Sequence, residues 1–291
     1  MGLQDSELIL NPNGSVYHLH LRPEHIADDF IFEGDQDRVN KVTDHFDTIE
    51  LSIQKREFKT VTGYYKGKRL SVISTGIGSD NIDIVLNELD ALVNINLKNR
   101  TVKEKHTSLN IVRIGTSGSL QYDIPVDHFL LSTHAIDLNG MLHSYDLKGI
   151  RHNEIENAFM KHTHWSTEKP NPIVISNSTK LQKKLASDIM REGMTITAGG
   201  FYGPQGRTLR LAPQDPEFIH KMNSFNYESL RVTNIEMETS AIYGLSKLLG
   251  HHACSMNAII ANRSTGQFSK HPETVIEKLI LYTLNRLLLN D

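Results

Sequence analysis

Apolar runs of strand length alternate with segments of helical periodicity along most of the chain. RLSVIST (69–75), LNIVRIG (109–115), HFLLSTHAI (128–136), MTITAG (194–199), VTNIEM (232–237) and CSMNAIIAN (254–262) read as strands. Helical patterns run from Asn81 to about Val93, around Lys180–Arg191, from Glu238 to Leu249, and from Pro272, a good first-turn residue, to about Leu289. In the third of these, Ala241, Ile242, Leu245, Leu248 and Leu249 fall on one helical face. A chain of this kind can bury its strands only between layers of helix, which predicts an α/β fold with a mixed or parallel central sheet. Sites in such folds gather at the carboxyl ends of strands. TGIGSD, GTSGS, GGFYGPQGR, EMETS and ANRSTG all fall there, TSGS coming after the strand 109–115.

No Pro/Gly/Ser-rich linker interrupts the 291 residues, so a single domain over 1–291 is expected. The polar, basic stretch NLKNRTVKEKHTS (96–108) reads as a solvated loop or helix end. A net charge of −3 makes nucleic acid a poor partner. No apolar run approaches the roughly 20 residues of a membrane span. The opening MGLQDSELIL lacks the basic and apolar regions of a signal peptide; it fits the loose Met-Gly-x-x-x-Ser acylation pattern but is read as an ordinary N-terminus. The single cysteine, Cys254, rules out an intrachain disulfide and a cysteine-based zinc site, fits a cytoplasmic setting, and is assigned to packing. HLH (18–20) and HTH (162–164) each put two histidines on one face, but no carboxylate or thiol completes a ligand set, so no metal site is expected.

Three constellations carry chemistry. GDQDRV (34–39), KREF (55–58), TGIG (75–78) and RIGTSG (113–118) bring Arg38, Arg56 and Arg113 together with glycines and hydroxyl residues. Guanidinium forks and close-approaching backbone N–H groups suit a small oxyanion. GIGSDN fails the dinucleotide spacing and no P-loop is present, so a free anion is favoured over a pyrophosphate. NIEMETSA (234–241) sets Glu236 and Glu238 around Met237 at a strand-to-helix switch. Glu238 there either favours the helix dipole or binds sugar hydroxyls, with Met237 packed on the sugar. GGFYGPQGR (199–207) combines the Gln205 amide, the Arg207 donors and the Phe201 ring, a set able to hold a flat ring bearing carbonyl and N–H groups, such as a pyrimidine.

Taken together and in this order, VYHLHL (16–21), GDQDRV, KREF, STGIG (74–78), RIGTSGSLQ (113–121), FYGPQGR (201–207), NIEMETSA and Asn262-Arg263 resemble the nucleoside phosphorylases of the uridine phosphorylase type. The resemblance implies a single-domain αβα sandwich around a mixed, distorted barrel-like sheet. It implies that Gly34, Arg38, Arg56, Arg113 and Thr116 hold phosphate. Met237, Glu238 and His18 would hold ribose, His18 reaching in from a neighbouring subunit of a homodimer or a hexamer of dimers. Gln205 and Arg207 would hold the base, Phe201 would line its pocket, and Arg263 would belong to the loop beside it. No cofactor is implied, phosphate being a co-substrate. A monovalent cation site known in some relatives is not claimed, since Glu57 and Ile77 match it but Asn81 does not.

The sequence departs from the family at Gln36, in place of a proline, which is expected to loosen the phosphate turn, and at the reversed Gly203-Pro204 order. The expected reaction is reversible phosphorolysis of uridine. A purine nucleoside phosphorylase, which commonly sets an Asp on the loop after the late strand, is the nearest rival. Residues 258–270 here contain no acid. A nucleosidase using water and a catalytically silent nucleoside-binding protein are more distant rivals.

Overall fold

The structure is a computed structural model that describes residues 2–289. Met1, on which the acylation pattern depends, and the last two residues lie outside it. In chain order the elements begin with β1 (Asp29–Glu33), α1 (Gln36–Thr43), β2 (Thr48–Lys55), β3 (Phe58–Tyr65), β4 (Lys68–Ser74), α2 (Ser79–Asn94), β5 (Ile95–Asn96), β6 (Thr101–Val102) and β7 (Asn110–Ser119). There follow β8 (Phe129–Asp137), α3 (Asn153–Thr163), β9 (Ile173–Ser176), α4 (Thr179–Leu185), β10 (Met190–Thr197), α5 (Phe218–Ser224) and β11 (Asn226–Tyr227). The last are β12 (Leu230–Glu236), α6 (Thr239–Leu249), β13 (His252–Asn262), β14 (Gln267–Phe268) and α7 (Pro272–Leu287).

Five strands close on themselves. β7 runs parallel to β13, β13 antiparallel to β8, β8 parallel to β10 and β10 parallel to β12. β12 returns antiparallel to β7 through Asn234–Ser119 and Ile235–Gly118. From β7 the sheet continues outward as β1, β4, β3 and β2. This is the barrel-like mixed sheet expected.

The sandwich follows from alternation along a strand whose two faces are both covered. In β1, Phe30 and Phe32 pack with Ile82, Val85 and Leu89 of α2 and with Ile242 and Leu245 of α6. Ile31 points the other way, into a cluster with Val39 and Val42 of α1, Leu181 and Leu185 of α4, and Val275, Ile276 and Leu279 of α7. A third cluster sets Phe159 of α3 and Met222 of α5 against Ile136, Met194 and Ile196. Cys254 lies fully buried in the second cluster, and burial pushes its thiol up to about 12. It is a packing residue, as expected.

Three expectations are corrected. The helix around Lys180–Arg191 stops at Leu185, and Met190 already pairs with Phe129 in the sheet. Donors from α7 end it: Tyr282 Oη bonds the Leu185 carbonyl at 2.6 Å and Arg286 Nε the Lys184 carbonyl at 2.6 Å. TSGS does not follow the strand but continues it to Ser119 as the end of β7, because β12 pairs with it to close the barrel. Within 96–108, Asn96 and Thr101–Val102 belong to a small hairpin of β5 and β6.

Candidate active site

A cavity of about 700 Å³ opens beside the barrel mouth, between the ends of β1, β4, β7, β12 and β13 and the 201–207 loop. Gly34, Arg38, Arg113, Thr116, Phe201, Gln205, Arg207, Met237 and Glu238 all line it. Stretches far apart in sequence therefore meet in one place.

Arg113 forms the floor. It is 6% exposed, and its Nη2 donates to Glu238 Oε2 at 2.6 Å and approaches Glu236 Oε2 at 3.2 Å, while Nη1 donates to Asn257 Oδ1 at 3.1 Å. The guanidinium lies across Gly115, where a Cβ would stand 1.8 Å from Nη1, so the glycine of RIGTSG is the space the arginine occupies. Burial opposes the Arg113 cation, but the carboxylates of Glu236 and Glu238 outweigh it and hold its pKa above the usual value.

The two glutamates divide their roles. Glu236 accepts from the backbone N–H groups of Glu238 and Thr239 at 2.9 and 3.0 Å and from Thr197 Oγ1 at 2.7 Å. It is the carboxylate that satisfies the start of α6, the structural task the sequence offered to Glu238. Glu238 instead accepts from the Gly78 backbone N–H at 2.8 Å and from Arg113. Burial raises its pKa, partly offset by Arg113. It borders the cavity with Met237 beside it, as a hydroxyl-binding carboxylate would. Gly78 reaches it with φ +101°, a conformation open to glycine.

At one end of the cavity, Arg38 on α1 stands beside Gly34 and donates through Nη1 to Glu33 Oε2 at 3.2 Å. Gln36 itself holds this turn through two hydrogen bonds. It opens α1, its amide donates to the Arg56 carbonyl at 2.9 Å and its Oε1 accepts from Gln54 at 2.8 Å, tying the loop to the β2–β3 hairpin. At the other end, Arg207 Nη1 donates to Gln205 Oε1 at 2.5 Å and to the Phe201 carbonyl at 2.6 Å, and the guanidinium stacks 3.8 Å over the Phe201 ring. Burial and the nearby Arg263 cation lower Arg207 to about 10, which leaves it charged at neutral pH. Gln205 is 2% exposed, so its amide is fixed by its surroundings.

Three residues named from the sequence do not line this chain's own cavity. Arg56 occupies the exposed tip of the β2–β3 hairpin at φ 54°, outside the lining of this chain's cavity, while its neighbour Glu57 lines it. His18 lies outside the cavity, held through Nδ1 by Glu88 of α2 at 2.6 Å. Arg263 donates to the Gln205 carbonyl at 3.1 Å, beside the base loop. Residues not foreseen complete the wall: Ile235, Ile260 and Ala261 from strands, and Phe268, which is 64% exposed, from β14. The short Gln267–Phe268 strand carried no periodic signal; only its pairing with Ala261–Asn262 brings Phe268 over the opening. Among the described residues no group of three or more His, Cys, Asp or Glu side chains is placed to hold a metal ion.

A family model described as the phosphorylase superfamily matches residues 30–283. The chain belongs to the phosphorylase superfamily. It is similar to a uridine phosphorylase of Thermococcus kodakarensis, with 27% identity over 263 residues, covering 89% of this chain and 82% of that protein. It is also similar to a DeoD-type purine nucleoside phosphorylase of Shewanella oneidensis, with 25% identity over 271 residues, covering 92% of this chain and 96% of that one. Among solved structures, a Trypanosoma brucei nucleoside phosphorylase described as showing uridine phosphorylase activity superposes with a TM-score of 0.87 at 27% identity, over 97% of this chain and 99% of that one. The Toxoplasma gondii purine nucleoside phosphorylase shares the fold, with a TM-score of 0.67 at 19% identity, over 96% of this chain and 97% of that one. Nucleoside phosphorylase function and the pentosyltransferase class follow from this kinship; the choice between pyrimidine and purine does not.

Proposed function

We propose that this phosphorylase-superfamily enzyme cleaves uridine with phosphate, reversibly, to uracil and ribose 1-phosphate, in pyrimidine nucleoside salvage in the cytoplasm. The observation that carries the pyrimidine reading is the Arg207–Gln205 pair, 2.5 Å apart at the end of the cavity away from Arg38. An amide and a guanidinium fixed side by side match the alternating carbonyl and N–H edge of uracil. The wall contributed by β13 there is Ile260 and Ala261, with no acid to bind or protonate a purine nitrogen.

The chemistry divides along the cavity. Phosphate is held by Arg38, Arg113, Thr116 and the backbone at Gly34, and attacks C1′ of the ribose. Positive charge develops on the sugar and is offset by the anion. Glu238, steadied by Gly78 and Arg113, accepts from ribose hydroxyls, with Met237 against the sugar face. The departing uracil gathers negative charge on its carbonyl oxygens, where preplaced donors on Arg207 and Gln205 stabilise it. No side-chain nucleophile is required. His18 and Arg56, both outside this chain's own cavity, are assigned to ribose and phosphate; His18 acts from a second copy in a homodimer or a hexamer of dimers.

A product assay over uridine, thymidine, inosine and adenosine, each with and without phosphate, tests the reading. Phosphate-dependent release of uracil as the fastest reaction supports it; inosine or adenosine cleaved faster than uridine replaces it with the purine assignment.

A further inference from the structure

Glu33 is the last residue of β1, a strand flanked on both sides by parallel neighbours, and it is 1% exposed. Its Oε2 accepts from Arg38 at 3.2 Å, and its Oε1 is buried with no hydrogen-bond partner. A carboxylate so placed is poorly compensated, since one long hydrogen bond does not replace its lost water. Arg38 itself is partly open to the cavity, with 15% of its side chain exposed. One guanidinium thus stands between a buried carboxyl below and the oxyanion space above.

We propose that Glu33 is a positioning residue that sets how tightly Arg38 holds an oxyanion, by offering the same guanidinium a competing carboxylate from beneath the cavity floor. The proposal rests on the reading of this end as the phosphate subsite. The groups facing Glu33 are Arg38 from α1, Arg113 from β7 and Asp35 from the loop after β1. Arg113 is already engaged by Glu236 and Glu238. From the loop after β4, Thr75 is uncharged and meets Glu33 at its backbone carbonyl, through N–H at 2.7 Å and Oγ1 at 3.2 Å, the hydroxyl also lying 2.9 Å from the Gly76 carbonyl. Burial raises the Glu33 carboxyl to about 8, against the pull of Arg38 and Arg113. At neutral pH the neutral acid leaves the Arg38 charge available to the oxyanion. As pH rises, the carboxylate forms and neutralises Arg38 from below, and anion affinity falls.

Sulfate is the probe, because it remains a dianion throughout this pH range whereas phosphate itself titrates. Its dissociation constant is measured by calorimetry between pH 6.5 and 9 for the wild type and Glu33→Gln, without nucleoside. The wild-type constant should rise on the order of 5- to 10-fold across that range, and that of the variant by less than about 2-fold. Arg38→Gln gives a second arm should the first variant fold poorly: residual binding through Arg113 should also lose the dependence. In turnover, Glu33→Gln should shift the alkaline limb of the phosphate KM profile rather than that of kcat. Sulfate binding with the same pH slope in all three proteins overturns the proposal and leaves the phosphorylase reading intact. If neither sulfate nor phosphate binds the wild type at any pH, both are overturned together.

Discussion

Arg113 Nη2 and Glu238 Oε2 lie 2.6 Å apart at the floor of the cavity, joining the group assigned to phosphate to the group assigned to ribose. The arginine comes from β7 and the glutamate from the β12–α6 junction, 125 positions apart in sequence. The contact exists because β12 pairs with the end of β7 to close the barrel. One guanidinium fork has three acceptors around it, and in the proposed mechanism it would fix the attacking anion relative to the sugar.

Arg113→Lys keeps the charge but loses the planar fork, so it cannot serve Glu238, Glu236 and Asn257 at once. Uridine phosphorolysis should fall by about 10²-fold in kcat/KM, with the phosphate KM raised and kcat lowered. Steady-state kinetics with phosphate varied, beside a melting curve to separate misfolding from lost chemistry, measure this. Unchanged kinetics would remove Arg113 from the phosphate site.

Arg207→Ala removes the donor assigned to the leaving base and the cation stacked on Phe201. Turnover of uridine should drop by about 10²-fold or more. Phosphate binding in the absence of nucleoside should be retained, since Arg207 lies at the other end of the cavity. Calorimetric titration with phosphate checks the second half; loss of both would mean that the variant has disturbed the whole site.

Much of this site is legible in the sequence because its chemistry sits in short local motifs at the ends of strongly periodic strands. RIGTSG, Gln205 with Arg207, and Met237-Glu238 each announce themselves by residue type. What distance along the chain conceals is assembly. Nothing local shows that Glu236 rather than Glu238 satisfies the start of α6, because that depends on Thr197 of β10 lying beside it. Glu33 looks like an ordinary polar residue closing a strand until β7 and β4 enclose it. Arg56 shows another limit: residue type alone does not reveal that it stands on the tip of the β2–β3 hairpin, outside this chain's own cavity, a place set by the pairing of β2 with β3. The helical pattern around Lys180–Arg191 runs past the true end of α4 because the contacts that stop it come from α7, about 100 residues away in sequence.

His18 is oriented by Glu88, whose carboxylate also accepts the backbone N–H groups of His18 and Leu19 at 2.9 and 2.8 Å. If the imidazole serves a neighbouring subunit's ribose, His18→Ala and Arg207→Ala chains should each be nearly inactive alone. Random mixing of the two into dimers should restore activity at roughly a quarter of the sites. Activity after co-refolding or co-expression, with mixed oligomers verified by mass, is the readout. No recovery in verified mixtures contradicts a shared site.

His134 on β8 has its ring 5.1 Å from that of His152, and burial, with the His152 and Lys247 charges adding to it, lowers its pKa from 6.5 to about 4. The unfolded chain therefore binds a proton that the folded chain refuses between those values, so stability rises with pH there and is lost as pH falls from 6.5 toward 4. His134→Gln should flatten part of that acid limb in a plot of melting temperature against pH and leave the region above pH 7 nearly parallel to wild type. An identical acid limb would show that other groups govern it.

The whole mechanism turns on phosphate as the attacking group, and uridine cleavage with and without phosphate tests it directly. Purified protein is freed of phosphate, incubated with uridine, and the sugar product is resolved into ribose and ribose 1-phosphate. Negligible cleavage without phosphate, and ribose 1-phosphate formed in step with uracil when phosphate is added, is the predicted result. Undiminished cleavage to free ribose in phosphate-free buffer would make the enzyme a nucleosidase and contradict phosphorolysis.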